Sequence, residues 1–108
     1  MTSPNPSPAS DVEVLPDQKK KLAPPRRFRV LLHDDDFTTM DFVVRILESV
    51  FGHDHGNATR IMLDVHTKGI GLAGIYPYEV AEAKAAKVME LARAEEFPFL
   101  ATTEPEEE

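Results

Sequence analysis

From Arg27 the chain alternates charged and apolar side chains through Phe28, Arg29 and Val30, then turns continuously apolar at Leu31 and Leu32. Alternation at period two sends successive side chains to opposite faces, so this stretch predicts a strand with one buried face. The run His33, Asp34, Asp35, Asp36, Phe37, Thr38 is too polar to continue it. Thr38 can cap a helix whose first turn holds Asp41, because a hydroxyl accepts from the free amides at a helix start. Val43, Ile46, Leu47, Val50 and Phe51 then recur at three- and four-residue spacing, which predicts a helix over about 39–51 with Gly52 ending it.

Asp54 can cap a second helix in which Ala58, Ile61, Met62 and Val65 line one face and Gly69 closes the last turn. His66 follows Met62 by four residues and so stands beside it. Residues 70–76 read as a strand whose glycines permit close backbone approach. Pro77 is placed to open a third helix. That helix would bury Val80, Ala81, Ala85, Val88, Leu91 and Ala92, mostly small side chains that let it lie close to a sheet, and carry Lys87, Glu90 and Arg93 outside. Phe99 to Thr103, after Pro98, predicts a last short strand. The order strand, helix, helix, strand, helix, strand predicts an α+β domain: a three-stranded, mainly antiparallel sheet with three helices on one face.

Composition narrows the class. A length of 108 residues, 42% hydrophobic and 29% charged, allows one small domain. No apolar run approaches the ~18 to 20 residues of a membrane span, and the N terminus is rich in Pro and Ser without an apolar core, so a cytoplasmic protein with no membrane partner is expected. The chain has no cysteine, which removes disulfides, thiolate metal sites and a cysteine nucleophile. Of the net charge of −7, residues 26–103 carry −3, from nine Lys and Arg against twelve Asp and Glu, and residues 104–108 carry −4. Nucleic acid is not an expected partner.

Six of the nine prolines fall in residues 1–25, which are expected to form a flexible arm, either a passive tail or a segment that engages a partner. The acidic residues 104–108 are expected to form a solvated tail. The core between them, 26–103, is small enough that only about 60% of its unfolded surface can be buried, which leaves little room for an enclosed catalytic cavity. Function is therefore expected at the surface.

Three consecutive carboxylates at 34–36 repel one another and call for hydrogen-bond donors, either helix amides or something cationic. A calcium loop would alternate its acids around a central glycine, and this run does neither. His53 and His55 lie two residues apart with no cysteine or helical HExxH to complete a zinc site. His66, Met40 and Met62 taken singly fit a core or its edge. No nucleophile elbow, phosphate loop or separated acid and base pair is present, so neither an enzyme nor a bound cofactor or metal is expected.

The joint pattern carries more than any one motif. Leu31 to Val44, with Asp34-Asp35-Asp36-Phe37-Thr38-Thr39-Met40 at its centre, resembles the LLNDDYTPMEFVV signature of the ClpS family of Clp protease adaptors. Ala58 to His66 is similar to the family's ATxIMLxVH, Gly69 to Gly74 to its GxxxxG return, Glu79 to Lys84 to EVAETK, and Pro98 to Thr102 to the closing PLLCT. The likeness runs in order through essentially all of 26–103.

The resemblance implies an adaptor that binds the free N terminus of proteins beginning with Leu, Phe, Tyr or Trp (N-degron substrates). It implies delivery of these to a ClpA-type or ClpC-type AAA+ unfoldase paired with ClpP peptidase. Carried over by position, Asp34, Asp35, Asp36, Thr38 and His66 would hold the α-amino group and first peptide unit. Met40, Val43, Met62 and Val65 would line the pocket for the first side chain, with Phe99 nearby where the family usually has Leu and Met40 disfavouring β-branched residues. Glu79 and Lys84 match positions that contact the unfoldase's N-terminal domain, and by analogy the Pro-rich arm would engage the unfoldase during handover.

Three departures stand out: Asp34 replaces Asn, Phe37 replaces Tyr and Thr39 replaces Pro. A carboxylate accepts but cannot donate as an amide does, so Asp34 is expected to alter affinity or range. Neither Phe37 nor Thr39 is required to touch a ligand. Two other readings compete, a ribosomal-stalk-like interaction module of related architecture and a metal-dependent hydrolase built on the loop acids and histidines.

Overall fold

The computed structural model describes residues 25–107, so the expectation of a flexible arm over 1–25 lies outside the described residues, Pro25 excepted. The elements run β1 (Arg27–His33), α1 (Met40–Ser49), α2 (His55–Lys68), β2 (Ile70–Pro77), α3 (Tyr78–Ala94) and β3 (Leu100–Pro105). The strands form one antiparallel sheet in the order β2-β1-β3, so the first strand of the chain is the central one. This is the α+β architecture expected from the pattern.

Register explains which face is covered. Leu32 stands between Gly71 and Ala101, and Val30 between Gly74 and Thr103, and both β1 residues are fully buried beneath the helices. Leu31, on the opposite face, stands between Leu72 and Thr102, where Leu72 is 41% exposed. A bulge in β2 at the Val30/Leu31 step absorbs Ala73. The core joins Val30 and Leu32 to Phe42, Ile46 and Leu47 of α1, Ala58, Ile61 and Val65 of α2, and Ala81, Ala85, Val88 and Ala92 of α3. Gly71 has a specific task, since a Cβ there would lie 2.6 Å from Val65 Cγ2. Its absence lets α2 rest directly on β2. No helix among the described residues is long and apolar enough to cross a membrane.

Three expectations are corrected. The cap of α1 is Thr39, whose Oγ1 accepts from the Phe42 amide at 3.1 Å, while Thr38 turns its hydroxyl to Asp35. Val80 is 42% exposed, because α3 turns its alanines toward the sheet and leaves this larger side chain at the flank. The acidic end is no solvated tail from Glu104 onward: β3 continues to Pro105, and the Glu106 amide donates to the Arg27 carbonyl at 2.8 Å. Glu104 pairs with Arg29 and Glu106 with Arg27, so basic residues on the central strand hold the acids in register.

Candidate functional site

Six residues, 34–39, carry the chain from the end of β1 to the start of α1. The loop is fixed at its beginning by the Asp34 amide, which donates to the Gly69 carbonyl at 3.0 Å. Gly69 adopts φ 86°, a left-handed conformation that ends α2 and releases the chain into β2. Within the loop Asp35 is the organising group. Its Oδ1 accepts from the amides of Phe37 and Thr38, both at 2.8 Å, and its Oδ2 from the Thr38 hydroxyl at 2.7 Å. Partial burial pushes the Asp35 carboxyl up, but these three donors outweigh it and hold it below the ordinary carboxylate range.

Between this loop, the first turns of α1 and the last turns of α2 lies a cavity of about 380 Å³. Val43, Met62 and Val65 are buried and form its apolar depth, and Met40, 46% exposed, stands at its rim. The other wall is polar, with Asp34, Asp36, Thr38 and His66. Asp34 Oδ2 lies 4.0 Å from His66 Nδ1. The lining holds carboxylates and a histidine but no lysine or arginine. Such a space suits a small cation joined to an apolar group.

Asp34, Asp35, Asp36, Thr38, Met40, Val43, Met62, Val65 and His66 are thus brought together around one cavity. Phe99 is not among the lining residues. It is 4% exposed in the core, edge-on to Phe42 with ring centroids 6.0 Å apart. Phe37 and Thr39, which needed no ligand contact in the sequence reading, both line the cavity. The available signals were an aromatic side chain in an otherwise polar loop and a threonine three residues before the first buried helix position.

The remaining histidines diverge. His53 Nε2 donates to the Ala73 carbonyl at 2.6 Å, His55 Nδ1 lies 2.8 Å from Glu48 Oε2, and His33 Nε2 lies 2.8 Å from Thr102 Oγ1. Among the described residues no three His, Asp or Glu side chains converge as a metal-binding group.

Glu79 and Lys84 lie elsewhere, on a groove of about 460 Å³ between the end of α1 and the flank of α3, with Val50, Val80 and Lys87. Lys84 donates to the Val50 carbonyl at 2.7 Å and lies 5.2 Å from the Tyr76 ring centroid. It thereby caps the negative end of α1. The cavity and the groove sit at opposite ends of this helix, which at ten residues is about 15 Å long.

The sequence profile described as "ATP-dependent Clp protease adaptor protein ClpS" matches residues 23–102. The chain belongs to the ClpS family. A curated relative from Desulfatibacillum aliphaticivorans, named ATP-dependent Clp protease adapter protein ClpS, is 48% identical over 103 residues, covering 94% of this chain and 99% of its own. A relative of the same name from Hyphomonas neptunium is 53% identical over 87 residues, covering 81% of this chain and 74% of its own. Among solved structures, Agrobacterium tumefaciens ClpS2 bound to L-phenylalaninamide superposes with a TM-score of 0.74 at 32% identity, covering 77% of this chain and all of that one. By its description the family is one of adaptors to an ATP-dependent Clp protease, and the match spans both the loop and the groove.

Proposed function

We propose that this chain is a non-catalytic cytoplasmic adaptor that captures proteins by a free N terminus beginning with Leu, Phe, Tyr or Trp. It passes them to a ClpA-type or ClpC-type AAA+ unfoldase working with ClpP peptidase. The observation that carries this reading is one cavity with carboxylates on one wall and apolar residues in its depth. An N-terminal ammonium marks a chain end, and the adjacent side chain marks its identity. The related Agrobacterium protein binds L-phenylalaninamide, which joins a free α-amine to an aromatic side chain.

The roles divide by what each side chain has free. Asp34, Asp36 and His66 receive the ammonium and first peptide group. Asp35 and Thr38 already bond each other, and they serve by holding the loop in shape. Val43, Met62 and Val65 take the first side chain, Met40 narrows the entrance against β-branched residues, and Phe99 supports α1 through Phe42. Burying a Leu or Phe side chain contributes about 1.5 to 3 kcal/mol and each charged hydrogen bond about the same. Together, after ordering costs, these reach the ~8 kcal/mol of micromolar binding. Glu79 and Lys84 meet the unfoldase's N-terminal domain, leaving the cavity open at the far end of α1. Residues 1–25 act in handover.

Fluorescence anisotropy with peptides that differ only at the first residue tests this. Leu, Phe, Tyr and Trp should bind, Val and Ile weakly, and N-acetylated copies not at all. Equal binding of free and acetylated peptides would refute the reading.

A further inference from the structure

We infer that Phe37 reads the second residue of the captured chain and favours an apolar side chain there, so that the site selects on two positions. This rests on the proposed capture of free N termini at the cavity. Phe37 is 73% exposed, the highest value among the large exposed hydrophobic side chains of the described residues, yet it lines the same cavity as Val43, Met62 and Val65. A lone exposed apolar residue is ordinary on a protein surface. The backbone that carries this one is held in place. Its own amide and that of Thr38 both donate to Asp35 Oδ1 at 2.8 Å, so the backbone on either side of the ring is tied down. The ring itself takes part in none of the aromatic pairs among the described residues.

An extended peptide sends successive side chains to opposite sides and advances about 3.3 Å per residue. With the first side chain sunk among Val43, Met62 and Val65, the second turns outward at the mouth of the cavity. Met40 guards the entrance for the first residue, and Phe37 offers the second an apolar surface without a hydroxyl. Asp36, exposed and next in the chain, adds repulsion against an acidic second residue.

The test uses the full chain and Phe-initiated peptides carrying Leu, Gly or Asp at position two, each with an acetylated control. The parent should bind Phe-Leu about five- to tenfold more tightly than Phe-Gly, as partial burial of one apolar side chain gives, and Phe-Asp more weakly than either. Phe37→Ser should bring Phe-Leu and Phe-Gly within about twofold of each other while still rejecting acetylated peptides. Phe37→Tyr, which keeps the ring, should retain the Leu preference. A Leu-to-Gly ratio that is flat in the parent, or unchanged in Phe37→Ser, overturns the inference while the capture reading stands. Free and acetylated Phe peptides binding alike would overturn both.

Discussion

Asp34 and His66 meet at the polar wall of the cavity, Oδ2 4.0 Å from Nδ1. The separation is too long for a hydrogen bond, so the Asp34 carboxylate faces the cavity without a direct bond to the ring. It is set by backbone, since Asp34 is bonded to Gly69, three residues beyond His66 on the closing turn of α2. A ligand ammonium at this wall is attracted by Asp34, with Asp35 and Asp36 the other charges nearby. Asp34→Asn removes one carboxylate from this wall, so its affinity for a Phe-initiated peptide should be lower at low ionic strength and depend less on salt. Anisotropy titrations across salt concentration decide the matter; identical salt profiles for parent and variant would show that Asp34 does not meet the ligand's charge.

Asp35 is held below the ordinary carboxylate range by the Thr38 hydroxyl and two amides, against the upward push of partial burial. A lowered folded value means that its contribution to stability is present above the unfolded range, about pH 4, and disappears as pH falls through the folded value. Asp35→Ala should cost about 1 to 2 kcal/mol at neutral pH through loss of the loop's hydrogen bonds. Asp35→Asn, which keeps an acceptor for the amides and loses the one for the hydroxyl, should cost less. Peptide affinity should fall with the Ala variant because the loop loses its shape. Urea unfolding checks the order; an Ala variant as stable as the parent would remove Asp35 from its bracing role.

The fold was legible because periodicity reports burial directly: Val30 and Leu32 at spacing two, Val43, Ile46 and Leu47 at spacing three and four. The cavity residues were legible through family resemblance, since an acidic loop and a histidine distant in sequence show no local sign that they adjoin. What escaped depended on competition between neighbours. Thr38 and Thr39 are equally suited to a cap, and only Asp35's claim on Thr38 decides between them. Phe99 belongs to a strand entry that faces Phe42, a packing choice made across the core. Glu104 and Glu106 look like solvated charge until the register of β1 sets Arg29 and Arg27 beside them.

Gly71 couples the sheet to the site. A methyl group there would stand 2.6 Å from Val65 Cγ2 and 3.4 Å from the Ile61 carbonyl, both on α2, and Val65 also lines the cavity. Gly71→Ala should destabilise the domain by about 1 to 3 kcal/mol, the usual cost of overpacking. It should also weaken peptide binding, because the helix that yields carries Met62, Val65 and His66. A shift of the His66 ring signals in an NMR spectrum of the free variant would report this movement. Unchanged stability together with unchanged His66 signals would mean that α2 is not seated on Gly71.

Glu79 and Lys84 share the second groove but differ in what they hold within the chain. Lys84 donates to the last turn of α1 at 2.7 Å and covers the Tyr76 ring, whereas Glu79 stands exposed in the first turn of α3. Lys84→Ala should therefore cost about 1 kcal/mol of stability from the lost charged hydrogen bond. Glu79→Gln should cost only the few tenths, roughly 0.3 kcal/mol or slightly more, of an acid at a helix start. Neither lies at the cavity, so both variants should bind a Phe-initiated peptide as the parent does. Under the proposed division of surfaces, Glu79→Gln should nevertheless weaken association with the isolated N-terminal domain of the unfoldase, in a background where folding is intact. Binding to that domain at parental strength by Glu79→Gln would move the docking surface away from this groove.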